Sequence, residues 1–163
     1  MLASSAQASL VGRYSGSEYG KAKLACEDRL RAYAMETGTE ILIYRFPNVF
    51  GKWCRPDYNS AVATFCYHVA RDLPITVNDP ATELELLYID DLTTELLSAL
   101  SGRIHRCSYD GLNPIPGDEF CFVPATHRTT LGDIVEELHS FHAQPETLSL
   151  IHISEPTRHA QIS

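Results

Sequence analysis

Tyr19 and Lys23, four residues apart, are the side chains of this chain best suited to do chemistry together. On a helix that spacing puts both on one face, one turn apart. A free phenol titrates near pH ~10 and is a poor acid–base group at neutral pH. A neighbouring ammonium favours its ionised form and brings it towards the working range. A serine hydroxyl on an adjoining strand could then hold a carbonyl oxygen while hydride arrives from a nicotinamide. The pair Ser4-Ser5 offers that hydroxyl, with Ser5 as the first choice and Ser4 as the alternative. The chemistry indicated is reduction of a carbonyl group.

Such a constellation needs strands and a helix to hold it. The first residues, Met1 to Ala8, read as the end of a strand running into a loop. From Glu18 to Thr37 the chain is rich in helix formers, with Leu24, Leu30 and Ala34 on one face and Gly38 as the C-cap. The run from Glu40 to Phe46 is apolar enough for a strand covered on both faces, and Pro47 stops it. Strand, loop, long helix, strand is the rhythm of a parallel sheet with crossover helices. Further on, the pattern predicts a helix over Ser60 to Asp72 burying Val62, Phe65, Cys66 and Val69. Short strands are expected at Pro74 to Val77 and at Glu83 to Ile89, then a helix N-capped by Asp90 or Asp91 and running through Leu100. Residues 101–120 carry Gly, Pro and Ser and read as loop, followed by a possible strand at Phe120 to Val123. Thr130 with Asp133 resembles a capping box opening a last helix that buries Ile134, Val135 and Leu138.

Composition narrows the function classes. The chain has 163 residues, 44% of them hydrophobic and 21% charged, with a net charge of −8. That describes a globular chain without the basic face of a nucleic-acid binder. No apolar run approaches membrane-spanning length. The five cysteines include no C-x-x-C pair, so free thiols in a reducing cytoplasm are expected. The histidines never fall at zinc-ligand spacing, and no metal site is expected.

Together, Ser4-Ser5, Tyr19-Gly20-x-x-Lys23, the run Arg45-Phe-Pro-Asn48-Val-Phe-Gly51 and Tyr88-Ile-Asp90-Asp91-Leu92 resemble the extended short-chain dehydrogenase/reductases that act on nucleotide-activated sugars. The string Phe50-Gly-Lys-Trp53-Cys54-Arg-Pro-Asp-Tyr58-Asn59-Ser60, with Ala63 to Tyr67 and Val77 to Asp79, is more specific. It is similar to the reductase domains that form UDP-N-acetyl-L-talosamine on the route to UDP-N-acetyl-L-fucosamine in capsular polysaccharide synthesis. The resemblance runs from about Leu2 to Leu138.

It implies an α/β fold: the C-terminal half of a Rossmann-like doubly wound parallel sheet plus a small substrate-binding lobe. It also implies NADPH, or NADH, as cofactor and a UDP-6-deoxy-4-keto-sugar as substrate, in a cytoplasmic and homodimeric whole protein. Ser5 would hold the carbonyl and Tyr19 would donate the proton. Lys23 would tune Tyr19, and Tyr19 and Lys23 would both meet the cofactor, with Pro47 lining the nicotinamide. Asn48, Asn59 and Ser60 would contact the substrate. Plainer alternatives stand beside two of these assignments, Asn48 as cap of the turn after its strand and Asn59 as N-cap of the next helix, and Trp53 reads as a packing residue. A UDP-sugar 4-epimerase or 4,6-dehydratase is the enzymatic alternative, although Ala6-Gln7 stands where a dehydratase carries Asp-Glu. A non-catalytic nucleotide-sensing relative is the third.

The pattern departs from the family at three places. No G-x-x-G-x-x-G fingerprint occurs, and the chain is expected to begin after that half of the fold, so it should bind NADPH weakly by itself. Leu84 or Glu85 stands where many relatives carry a diphosphate-binding arginine, leaving Arg55 or Lys52 for that task. The cupin domain of the relatives is not found after Leu138. Residues 1–144 thus read as the catalytic part. The segment from Leu148 to Arg158, and on to Ser163, resembles a translated sequencing adaptor and is expected to be a non-native tail that packs against nothing.

Overall fold

The structure is a computed structural model that describes residues 1–152, with side chains to residue 144. The tail reading from Leu148 onward therefore lies outside the described side chains, and from residue 153 outside the described residues altogether. The elements in chain order are β1 (Leu2–Ser5), α1 (Glu18–Thr37), β2 (Ile43–Phe46), β3 (Asn48–Phe50), α2 (Ala61–Val69), β4 (Glu83–Tyr88), α3 (Ile89–Leu100), β5 (Arg106–Asp110), β6 (Asn113–Cys121), β7 (His127–Thr130) and α4 (Leu131–His152). Two compact units divide the described residues, one of Met1–Trp53 with Glu85–Arg128, the other of Cys54–Leu84 with the described residues from Thr129 onward.

In the first unit β2 lies at the centre of a sheet ordered β1-β2-β6-β5. β1 runs parallel to β2 in the register Leu2↔Ile43 to Ser5↔Phe46, and β6 joins the other side of β2 in parallel at Tyr44↔Cys121. Successive residues of β2 point to opposite faces. Leu42 and Tyr44 pack with Ala99 and Leu96 of α3, whereas Ile43 packs with Leu30 of α1, Cys107 and Phe120. A parallel strand covered by helices on both faces is the doubly wound arrangement the apolar run predicts. Burying each large apolar side chain there contributes roughly 1.5–3 kcal/mol. β3 pairs in parallel with β4, Asn48↔Leu86 to Phe50↔Tyr88.

Helix α1 has the bounds the sequence predicts, because Ser17 caps its start and Gly38, at φ +70°, ends it. Its inner face differs from the expectation. Gly20 and Glu27 are the fully buried residues, while Leu24, Leu30 and Ala34 are half-buried.

Three further expectations are corrected. Of residues 101–120, only 101–105 and the turn at 111–112 are loop: β5 and β6 form an antiparallel hairpin turning at Gly111, where φ is +62°. Pro114, Pro116 and Gly117 read as breakers, but the β6 residues from Asn113 to Ile115 pair only with β5, and an irregularity absorbs Pro116 and Gly117. Asp90 and Asp91 do not cap α3. Tyr88 occupies the cap, and both carboxylates lie in the first turn, where they complement the helix dipole. Pro74 to Val77 forms no strand.

The second unit carries α2 and α4. Ser60 caps α2, whose inner face is Phe65 and Val69; Cys66 points outward instead. Thr130 and Asp133 form the reciprocal capping box at the start of α4, with bonds of 3.2 and 3.1 Å, and Ile134 is buried. All five cysteines are free thiols, Cys26 and Cys66 exposed and Cys107 and Cys121 buried. Burial pushes the Cys107 and Cys121 thiols above their ordinary value. Among the described residues, no helix is long and apolar enough to cross a membrane and no cluster could hold a metal ion.

Candidate functional site

Ser5 closes β1 and begins the 3-10 turn Ala6–Ser9, its hydroxyl accepting the Gln7 N–H at 3.2 Å. That bond uses an oxygen lone pair, so the hydroxyl hydrogen can be donated elsewhere. Ser4 differs. Strand alternation turns it inward, it is buried, and its hydroxyl donates to the carboxylate of Glu27. The two adjacent serines therefore have separate fates, one committed to the interior and one half-buried with a proton to give.

Tyr19 and Lys23 occupy the first two turns of α1. The Lys23 ammonium lies 5.6 Å from the centre of the Tyr19 ring, and it donates to the Ala3 carbonyl of β1 at 3.0 Å. Tyr19 is 54% exposed, so its phenol is open to a ligand. The ammonium has three donors and this carbonyl occupies one, which leaves donors for the hydroxyls of a ribose. The donor set thus fits the nicotinamide end of a dinucleotide.

What locks the start of α1 against the turn after Ser5 is a cluster the sequence reading did not include. Ser17 accepts the Gly20 N–H at 2.9 Å and donates its own proton to the Gln7 side-chain carbonyl at 2.7 Å. Gly20 itself presses on the Gln7 backbone. A Cβ there would sit 2.3 Å from the Gln7 carbonyl oxygen, so only glycine fits. Gln7 accordingly serves as a structural clasp. The legible signal was Gly20 immediately after Tyr19, a helix-interior glycine with a packing reason.

Pro47 follows β2 in a trans peptide and lines a cavity of about 110 Å³ together with Ala6, Glu85, Tyr109, Phe122 and Thr126. That volume is below the roughly 300–1,000 Å³ of ordinary ligand pockets, so the cavity alone does not hold a nucleotide sugar. Asn48 is exposed and does not cap its own turn. Its amide donates to the Glu85 carbonyl of β4 at 3.1 Å, leaving its carbonyl oxygen as an acceptor. The Glu85 carboxylate accepts from Thr126 at 2.8 Å.

Asn59 and Ser60 belong to the second unit. Asn59 is exposed and is not the cap of α2; Ser60 is, accepting the Ala63 N–H at 3.3 Å. Trp53 does not pack in the interior. It is 99% exposed, at φ +67°. Lys52 forms an ion pair with Asp90 at 2.6 Å, and that bond raises its pKa; Arg55 lies over the Tyr58 ring at 5.6 Å. The described residues therefore bring Ser5, Tyr19 and Lys23 onto one strand end and one helix start, with Pro47 and Asn48 following the neighbouring strand.

Comparison with known proteins identifies the family. Residues 4–104 match the NAD dependent epimerase/dehydratase family. A curated relative from Pseudomonas aeruginosa, UDP-2-acetamido-2,6-beta-L-arabino-hexul-4-ose reductase, is 35% identical over 132 residues, 81% of this chain and 32% of the relative. The capsular polysaccharide assembling protein CapF of Staphylococcus aureus has a similar structure, with a TM-score of 0.73, 42% identity, and coverage of 90% of this chain and 36% of CapF. A UDP-glucose 4-epimerase of Thermus thermophilus, solved with NAD, matches at a TM-score of 0.62 and 19% identity over 86% of this chain and 47% of the epimerase, which is a likeness of fold. The chain spans about a third of the length of the reductase and of CapF. It belongs to the NAD dependent epimerase/dehydratase family.

Proposed function

We propose that the chain is the substrate-side part of an NADPH-dependent reductase acting on the 4-keto group of a UDP-6-deoxy-4-keto-amino-sugar in capsular polysaccharide synthesis. The observation that carries the reading is the pairing of Lys23 with Tyr19 at the start of α1, with the Lys23 ammonium bonded to the Ala3 carbonyl of β1, the strand that ends at Ser5. The P. aeruginosa relative, named as a reductase of a UDP-acetamido-hexulose, supports the substrate class.

Tyr19 delivers a proton from its phenol oxygen to the oxygen formed at C4. Ser5 donates a hydrogen bond to that oxygen and stabilises the charge developing on it. Lys23 holds a positive charge 5.6 Å from the centre of the phenol ring, and its remaining donors hold the ribose. Pro47 offers an apolar wall for the nicotinamide, and the acceptor oxygen of Asn48 meets a sugar hydroxyl or amide. Asn59 and Ser60 are assigned to nucleotide-sugar binding. The nicotinamide, when bound, supplies the hydride. NADPH rather than NADH, and a homodimeric cytoplasmic whole protein, belong to the same reading.

The test is NADPH oxidation by the full-length protein with a UDP-2-acetamido-4-keto-sugar. Tyr19→Phe should lower turnover by roughly 10²–10⁴ while cofactor affinity is kept. Ser5→Ala should cost on the order of 10²-fold in kcat, and Ser4→Ala distinctly less, because Ser4 faces Glu27. Near-normal turnover by Tyr19→Phe would end the dehydrogenase reading of this helix. A crippled Ser4→Ala beside a healthy Ser5→Ala would move the catalytic hydroxyl by one residue.

A further inference from the structure

Glu27 is a carboxylate with no exposure to solvent, and the chemistry proposed above does not use it. It accepts from Arg45 Nε at 2.9 Å and from the terminal nitrogen of the same guanidinium at 2.7 Å, a bidentate pair. The Ser4 hydroxyl donates to it as well, and Arg31 lies 3.6 Å away. Arg31 has further partners in Asp28 and Glu119, whereas Arg45 is spent on Glu27 and on the Phe120 ring, 4.2 Å from its guanidinium. No buried polar side-chain atom is left without a partner among the described residues.

Stability alone is a weak reason for such a cluster, since a buried ion pair can often be replaced by apolar side chains of similar volume without loss. Its location supplies a stronger one. Ser4 directly precedes Ser5 on β1. Glu27 follows Lys23 by one turn on α1, and Arg45 precedes Pro47 by two residues on β2. One carboxylate therefore ties together the three elements that carry the hydroxyl, the phenol with its ammonium, and the apolar wall. A one-residue slip of β1 would send Ser5 inward and Ser4 outward. The Ser4–Glu27 bond opposes that slip from within, where water cannot compete.

We propose that Glu27, with Ser4 and Arg45, is a positioning device that fixes the register of Ser5 against Tyr19 and Lys23 in the reduction proposed above, and the inference rests on that reading. A polar device of this kind is separable from its contribution to stability. The triple variant Ser4→Ala/Glu27→Met/Arg45→Met removes every charge and donor of the cluster's centre at comparable volume, so the fold can recover while the register restraint is gone.

Three measurements on the full-length protein decide: the thermal midpoint, kcat and KM in NADPH oxidation with a UDP-2-acetamido-4-keto-sugar, and the backbone amide shifts of Ser5 and Gln7. Glu27→Gln is expected to lower both the midpoint and kcat. The triple variant is expected to regain the wild-type midpoint while kcat stays down by up to roughly 10²-fold, with KM little changed and both amides displaced. Recovery of kcat together with the midpoint, or unmoved amides, would overturn the proposal. Should the triple variant fail to fold, Glu27→Asp takes its place, keeping the charge but withdrawing the carboxylate by one methylene. A lowered kcat at an unchanged midpoint supports positioning, and a wild-type kcat overturns it. If the wild-type protein itself shows no turnover, the proposed reaction fails, and the amide shifts alone decide the positioning claim.

Discussion

Two polar clusters, one in each compact unit, hold their backbones in place by different physics. In the first unit Glu27 is wholly buried against Arg45 and Ser4. In the second, the His68 ring bridges the Pro74 carbonyl at 2.9 Å and the Asp57 carboxylate at 3.0 Å, and Asp57 is itself exposed. Burial removes competition from water and salt, so each bond around Glu27 is strong and each missing partner expensive. Exposure leaves the His68 clasp screened, weak and open to protons. The strand and helix that carry Ser5, Tyr19 and Lys23 are thus tied by the cluster that is hard to perturb from solution. The loop entering α2 is held by the one that solution conditions can loosen.

The difference can be broken most severely at Arg45. Arg45→Met alone strands the Glu27 charge in the interior, and removal of one partner of a buried pair costs about 3–5 kcal/mol. Urea unfolding should show that loss as a lower midpoint at similar slope. A change within about 1 kcal/mol would mean that Glu27 finds water or another donor, and the contrast with His68 would disappear.

A smaller effect is expected at Gly20, where the first unit relies on close approach rather than charge. Gly20→Ala drives a Cβ to 2.3 Å from the Gln7 carbonyl oxygen and 2.9 Å from its carbonyl carbon. Neither is the end of a flexible side chain, so α1 or the turn after Ser5 must move. Overpacking of this kind costs about 1–3 kcal/mol, and the Ser17–Gln7 bond should be lost with it. A crystal structure of the variant with that bond intact at 2.7 Å, or an unchanged unfolding midpoint, would contradict the account.

These two positions also mark where the sequence was legible and where it was not. The bounds of α1 could be read because a run of helix formers and the Gly38 C-cap are local signals, although Ser17, which caps the start, was not singled out. Tyr19 and Lys23 could be paired because helical spacing is enough to place them together. Glu27 has the same spacing from Lys23, yet a glutamate in a helix full of charged residues reads as surface. Only the arrival of Arg45 and Ser4 from two strands turns it inward, and no periodicity announces that. The β5–β6 hairpin was hidden for a related reason. Pro114, Pro116 and Gly117 are turn residues by local chemistry, but pairing with β5 and an irregularity in register accommodate them in a strand. Asp90 and Asp91 read as caps because they are good ones, whereas β4 continues to Tyr88 and the helix starts without a side-chain cap.

The smallest expected effect lies at His68, and its sign distinguishes the exposed cluster from the buried one. Both ring nitrogens face acceptors, so the doubly protonated imidazolium is the form that satisfies both. The Pro74 carbonyl, and after it the Asp57 carboxylate, raise the His68 pKa above its ordinary value, with burial opposing them in part. A raised folded-state pKa means that the contribution is fully present below the unfolded-state value, near pH ~6.5, and is lost as pH rises through the folded-state value. Amide exchange is the local probe, because the Leu73 N–H bonds to the His68 carbonyl and the Asp57 N–H bonds to Thr64. Protection of these two amides, measured as opening free energy after correction for intrinsic exchange, should fall as pH is raised from about 6 to about 8. His68→Gln cannot gain or lose a proton in that range, so its opening free energy should stay flat. Parallel curves for the two proteins would place the titration elsewhere and leave the clasp a contact without a pH role.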